Sequence, residues 1–161
     1  FESSFAYIDI ADEGTDYLCM VVGRNIGSDI FITDIVFSDS NIDITLPQCA
    51  IAIKENNVTY CRVESNSSGA LFGRLLQKEV ADCTILFAHS STHKHTRILN
   101  DSVSICEYFR FKHESYRSAM YHSAVGQIIS YTKDGKAKHD DAADACSGLM
   151  TFIRSMLSEL Y

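Results

Sequence analysis

Three apolar, β-prone runs crowd into the first 37 residues: FAYIDI (5–10), YLCMVVGR (17–24) and IFITDIVF (30–37). The links between them are short, and the first, ADEGTD, carries Gly14 among acidic residues, a turn signal. Two such short links suggest an antiparallel meander of the three strands. The pattern then changes period. Residues 43–56 read as a helix, VTYCRVE (58–64) as a buried strand, and 70–80 as an amphipathic helix with Leu71, Leu75 and Leu76 on one side. CTILFAH (83–89) is another strand. The segment after it is polar at first and then helical by period, and EYFRFK (107–112) reads as a short strand or an extended link. Residues 115–131 read as a helix, TKDGKAK as a turn, and 140–160 as a long closing helix rich in Ala, Leu and Met. Strands alternating with helices after a meander predict an α/β fold. Its sheet is mixed, an antiparallel three-strand meander plus parallel strands, and is flanked by helices.

A chain of 161 residues suits one compact domain, 1–161, with enough apolar sequence for a core that needs no staples. No run is long and apolar enough to span a membrane. None of the six cysteines forms a CxxC pair, and most sit in apolar runs. They read as buried free thiols of a protein in a reducing, intracellular compartment. The net charge of −7 is the reverse of the basic footprint usual in DNA-binding domains. It fits a chain whose carboxylates are gathered to hold cations, or one whose grip on a polyanion lies in another domain. The start at Phe1 rather than Met carries the expectation of a fragment.

Acids stand where a fold alone would not choose them. Asp9 lies inside the apolar strand AYIDIA, on the face of Tyr7 and Ala11 and opposite Ile8 and Ile10. Glu64 ends VTYCRVE before a polar turn. Asp140, Asp141 and Asp144 open the last helix, with Asp141 and Asp144 on one helical face. Capping and the helix dipole account for Asp140 and Asp141, whereas Asp144 falls among alanines in the second turn. Gathered at one end of the sheet, such acids repel and raise each other's pKa unless divalent cations neutralise them. Mg²⁺ and Mn²⁺ favour carboxylate oxygen, and two such ions roughly 4 Å apart suit phosphodiester hydrolysis.

YIDIADEGTDY resembles the first motif of the terminase large-subunit nuclease, a strand aspartate followed by a Gly-containing turn and a second Asp. RVESNSSG resembles its second motif, and HDDAADA (139–145) its third and the closing helix of RuvC-like resolvases. The resemblance covers almost the whole chain and implies an RNase H-like fold. It also implies a metal-dependent endonuclease that cuts double-stranded DNA during phage genome packaging, in the host cytoplasm during virion assembly. Asp9, Glu64 and Asp141 are implied as the core that binds Mg²⁺ or Mn²⁺, two ions in all. Asp140 and Asp141 are both open as third ligand, and Asp144 matches a fourth acid of the resolvase pattern. Asp16 is implied as a supporting residue or occasional ligand, and His139 as an orienting group or a cap. Plain RNase H enzymes carry the glutamate on a helix, so Glu64 after a strand favours the terminase and resolvase branch. An ATPase domain upstream in the same chain, the portal and the small terminase subunit are the implied partners. No GxxxxGK[ST] phosphate loop lies within these residues.

Basic residues add candidate phosphate contacts. Lys133, Lys136 and Lys138 surround Gly135 just before HDD, and Arg74 shares a helix face with Lys78 near Glu64. Lys94 and Arg97 belong to a turn with His89, His93 and His95 that reads as a solvated loop, a phosphate contact or, lacking a matching Cys or acid, a poor zinc site. Two alternatives to a packaging nuclease follow from the same residues. One is a resolvase- or transposase-type nuclease, which the acidic charge disfavours. The other is a non-catalytic DNA-guiding or portal-docking module, which the full set of acids disfavours.

Overall fold

The computed structural model describes residues 2–10, 17–64, 68–89, 93–131 and 139–160. The meander is β1 (Glu2–Asp9), β2 (Leu18–Ile26) and β3 (Asp29–Ser38), antiparallel throughout. Then come α1 (Ile42–Glu55), β4 (Tyr60–Glu64), α2 (Gly69–Glu79), β5 (Thr84–Ala88) and α3 (Lys94–Tyr108). The chain continues through β6 (Phe109–Phe111), α4 (Ala119–Ser130) and α5 (Asp141–Leu160). The sheet order is β5-β4-β1-β2-β3-β6, with β4 parallel to β1, β5 parallel to β4, and β6 parallel to β3. The mixed sheet expected from the alternation of elements is thus formed, and EYFRFK supplies a three-residue edge strand.

Period-2 alternation sorts the strands onto two cores. Ala6, Ile8, Met20, Val22, Cys61 and Val63 face α1 and α2. Phe5, Tyr7, Cys19, Val21 and Ile32 face α4 and α5. In β3 the pairing skips Thr33, since Val22 opposes Asp34 while Gly23 opposes Ile32. This bulge flips the parity, so Ile30 and Ile32 before it and Ile35 and Phe37 after it all reach the same core. IFITDIVF is therefore not one unbroken alternation. The helix expected from residue 115 starts at Ala119. The Ser118 hydroxyl accepts the Tyr121 N–H at 3.1 Å and caps it, while His113 Nδ1 accepts the Ser115 N–H and holds Glu114–Tyr116 as a separate 3-10 turn.

α5 is buried on every side from Asp141 to Met150. Its small residues permit this. A Cβ at Gly148 would lie 2.3 Å from Cε1 of Tyr7, so the helix rests directly on the Tyr7 ring.

Candidate metal centre

Because β1 and β4 are parallel neighbours, they end at the same side of the sheet, and Asp9 and Glu64 lie one residue beyond the Ile8–Val63 pair on their strands. Gly69, the first residue of α2, lies tight against the end of β4: a Cβ there would sit 1.8 Å from the Glu64 carbonyl oxygen. The glycine of RVESNSSG is thus required by contact. α5 begins over the same strand ends. Carboxylate oxygens of Asp9, Glu64 and Asp144 lie within 4.8 Å of one another, on residues only 6%, 8% and 1% exposed.

The surrounding residues hold this cluster without neutralising it fully. Arg97 donates from Nη2 to Asp144 Oδ1. Lys94 Nζ lies 3.2 Å from Asp140 Oδ1, 3.6 Å from Asp144 Oδ2 and 3.9 Å from Asp9 Oδ2. Asp144 Oδ2 is buried with no hydrogen-bond partner among the described residues. Burial holds the Asp9 carboxyl well above its usual range, helped by the Asp144 charge and a hydrogen bond with Glu64 and opposed by Lys94. Burial works to lower the Lys94 pKa, but the charges of Asp9, Asp144 and Asp140 outweigh it and raise the value. The Tyr7 hydroxyl below is raised by its burial and by Glu64, Asp144 and Asp9. Closely spaced, buried oxygen donors with an orphaned lone pair suit a hard divalent cation and offer nothing to a soft one.

The other acids of HDDAADA have separate partners. Asp141, buried, accepts the Tyr17 N–H on Oδ2 at 3.3 Å and ties the helix start to β2. The Asp140 carbonyl accepts the Asp144 N–H, and Gln127 Oε1 caps the Ala142 N–H at 2.7 Å. His139 sets its ring edgewise to Tyr17, with Nδ1 buried and lacking a hydrogen-bond partner among the described residues. Among the described residues, the acids brought within ligand distance of each other are therefore Asp9, Glu64 and Asp144, with Asp140 joined to them through Lys94. Arg74 is exposed on α2. Asp16, Lys133, Lys136 and Lys138 lie outside the described residues. The histidines diverge: His95 bonds the Tyr131 hydroxyl, while His89 and His93 are exposed.

Sequence reasoning missed the seam behind the cluster. Asp101, 6% exposed, accepts from Ser147 at 2.5 Å, Thr151 at 3.2 Å and Arg154 at 2.8 Å. Arg154 also bonds Ser104. The signal was present as two polar stripes at helical spacing, 94/97/101/104 on α3 and 144/147/151/154 on α5.

Several solved structures share the fold. The chain is similar to the human cytomegalovirus terminase nuclease domain in a manganese-soaked crystal (13% identity, TM-score 0.66), covering 94% of this chain and 82% of that one. It is similar to the nuclease domain of the large terminase subunit of bacterial virus Sf6 (13%, 0.60), covering 92% and 87%. It also resembles the large terminase of a thermophilic bacteriophage (10%, 0.66), covering 94% of this chain but 40% of that one. No curated protein sequence matches the chain. The family model of the terminase RNaseH-like domain matches residues 6–151, a span that contains the acid cluster of Asp9, Glu64 and Asp144, and the chain therefore belongs to that family.

Proposed function

We propose that this terminase nuclease domain is a divalent-metal-dependent endonuclease that hydrolyses double-stranded DNA during phage genome packaging. The observation that carries the reading is the set of three buried carboxylates, Asp9, Glu64 and Asp144, with oxygens within 4.8 Å of one another. These three hold the metal, and Asp140 and Asp141 flank it. A pair of Mg²⁺ or Mn²⁺ ions bound there supplies Lewis-acid activation of a water and charge for the leaving oxygen. The manganese-soaked cytomegalovirus domain supports the choice of ion.

The chain's own residues do the rest. Arg97 fixes the rotamer of Asp144, and Tyr7 supports the floor between Asp9 and α5. Arg74 and the lysines 133, 136 and 138 contact phosphate, with Asp16 and His139 in support. The net charge of −7 makes the isolated domain's grip on DNA weak and salt-sensitive. An ATPase domain, the portal and the small subunit complete the packaging machine in the host cytoplasm.

The test is cleavage of supercoiled plasmid by the domain with MnCl₂ or MgCl₂. Asp9→Asn, Glu64→Gln and Asp144→Asn each lower the rate by a factor on the order of a thousand, the loss of several kcal/mol of transition-state stabilisation. Asp141→Asn retains more activity than Asp144→Asn. Undiminished cleavage by the first three variants overturns the reading, and the reverse ranking of the last two moves the third ligand to Asp141.

A further inference from the structure

Lys94 stands where a salt-bridging lysine would not ordinarily stop. A surface lysine pairs with one carboxylate and leaves its remaining protons to water. The Lys94 ammonium instead sits between three acids from two distant segments: Asp9 of β1, and Asp140 and Asp144 at the start of α5. It also lies 3.6 Å from Oδ2 of Asp144, the oxygen that has no hydrogen-bond partner among the described residues. The two cations of the site differ in freedom. The Arg97 side chain is 15% exposed and bonded to the other oxygen of Asp144, whereas the Lys94 side chain is 39% exposed on a flexible four-carbon stem at the start of α3. Lys94 is thus able to turn out of the cluster without disturbing the core.

We propose that Lys94 is an exchangeable counter-ion, its ammonium standing in for the divalent cation beside Asp9 and Asp144, with Asp140 as its outer partner, until the metal enters and expels it. This rests on the metal-binding reading above. An ammonium and a divalent cation cannot share the same oxygens, because at about 4 Å two positive charges repel each other strongly in a half-buried site. Lys94 therefore stabilises the metal-free fold, which otherwise holds mutually repelling buried carboxylates, and it weakens metal binding by the work of its own displacement. Expelled, the ammonium lies at the mouth of the site, free to meet a phosphate.

The experiment is titration of the domain with MnCl₂, followed by calorimetry and by the electron-spin signal of free Mn²⁺, in wild type and Lys94→Gln. Lys94→Gln is expected to bind Mn²⁺ on the order of tenfold tighter and to melt at a lower temperature than wild type without metal. A Mn²⁺ Kd equal to or weaker than wild type overturns the proposal. Wild type itself gives a second measurement that needs no variant. Acetylation mapped by mass spectrometry should spare Lys94 relative to exposed Lys54 and Lys78 in metal-free protein, and should reach it several-fold faster once MnCl₂ is added. Labelling of Lys94 indifferent to MnCl₂, in protein that demonstrably binds it, overturns the counter-ion role alone. Absence of Mn²⁺ binding to both wild type and Lys94→Gln overturns the metal reading beneath it.

Discussion

Both faces of the sheet carry an apolar layer, and one of these layers is backed in addition by a polar seam. On one, α1 and α2 pack through Cys49, Ala50, Ile53, Phe72 and Leu76, an apolar layer. On the other, α4 and α5 form the layer on the sheet, and α3 lies mainly over α5, which it meets through a polar seam that runs from Lys94 and Arg97 on Asp144 to Arg154 on Asp101. Apolar burial is strong and non-directional, so the first face supplies stability while tolerating small shifts. Hydrogen-bonded charge pairs return little net stability after desolvation, but each fixes a direction. The seam therefore adds little stability but sets where Asp144 points. The difference separates a face held by apolar packing from a face whose apolar layer also carries a seam that aims its acids.

Leu76→Ala breaks the first face and has the largest expected effect on stability. Leu76 is fully buried, so its truncation should cost about 2–5 kcal/mol, measured by urea denaturation. Below its melting temperature the variant should bind Mn²⁺ with wild-type affinity, because the lost volume lies across the sheet from the acids. A weakened Mn²⁺ Kd in folded protein would show that the two faces are not separable.

Asp101→Ala is the converse. It leaves Ser147, Thr151 and Arg154 without their shared acceptor, at a cost of about 1–3 kcal/mol, toward the lower end because Arg154 is half-exposed. Its signature is a Mn²⁺ affinity lowered about 10-fold, as supporting residues of metal sites commonly show, although Asp101 lies outside the cluster. Loss of stability with unchanged Mn²⁺ affinity would reduce the seam to ordinary helix packing.

What the sequence made legible follows the same division. Local periodicity placed the first five strands and the helices of the apolar face but left EYFRFK open, and Asp9 stood out because a strand's period of two leaves an interior carboxylate no solvated excuse, while Glu64, at a strand end, stood out in company with the other acids. The Thr33 bulge did not show, since alternation on either side of it looks regular and only the partner strand reveals the skipped residue. Nor did the contrast between Asp141 and Asp144. Both lie on one helical face, and their different partners depend on how deeply α5 settles on Tyr7, which Gly148 decides. The stripe of Lys94, Arg97 and Asp101 was visible but ambiguous, because a polar helix face usually meets water. Only the complementary stripe on α5, some 50 residues on in sequence, turns it inward.

The smallest expected effect, and the finest test of the comparison, lies in the cysteines. Cys106 on α3 is exposed, while the other five thiols are buried. Burial pushes Cys83 up to about 11 and Cys146 up to about 12, so in the folded state neither is a thiolate near pH 8. Because these folded values exceed the unfolded one, the stabilisation from keeping the thiols neutral is complete at lower pH and is lost as pH rises above 9. At pH 8 a thiol reagent should therefore modify Cys106 within minutes and the rest only through opening of the fold. Cys146 borders a cleft of about 230 Å³ with Ile98, Ile105 and Ile128, between α3, α4 and α5, whereas Cys49 and Cys61 lie in the apolar layer. A seam of low net stability opens more readily than a close-packed core. In urea well below the unfolding midpoint, Cys146 should then react several-fold faster than Cys49 or Cys61, and Asp101→Ala should widen that gap. Equal rates for all five buried thiols would mean that the two faces open together, as one cooperative unit, and that the seam has no separate stability to lose.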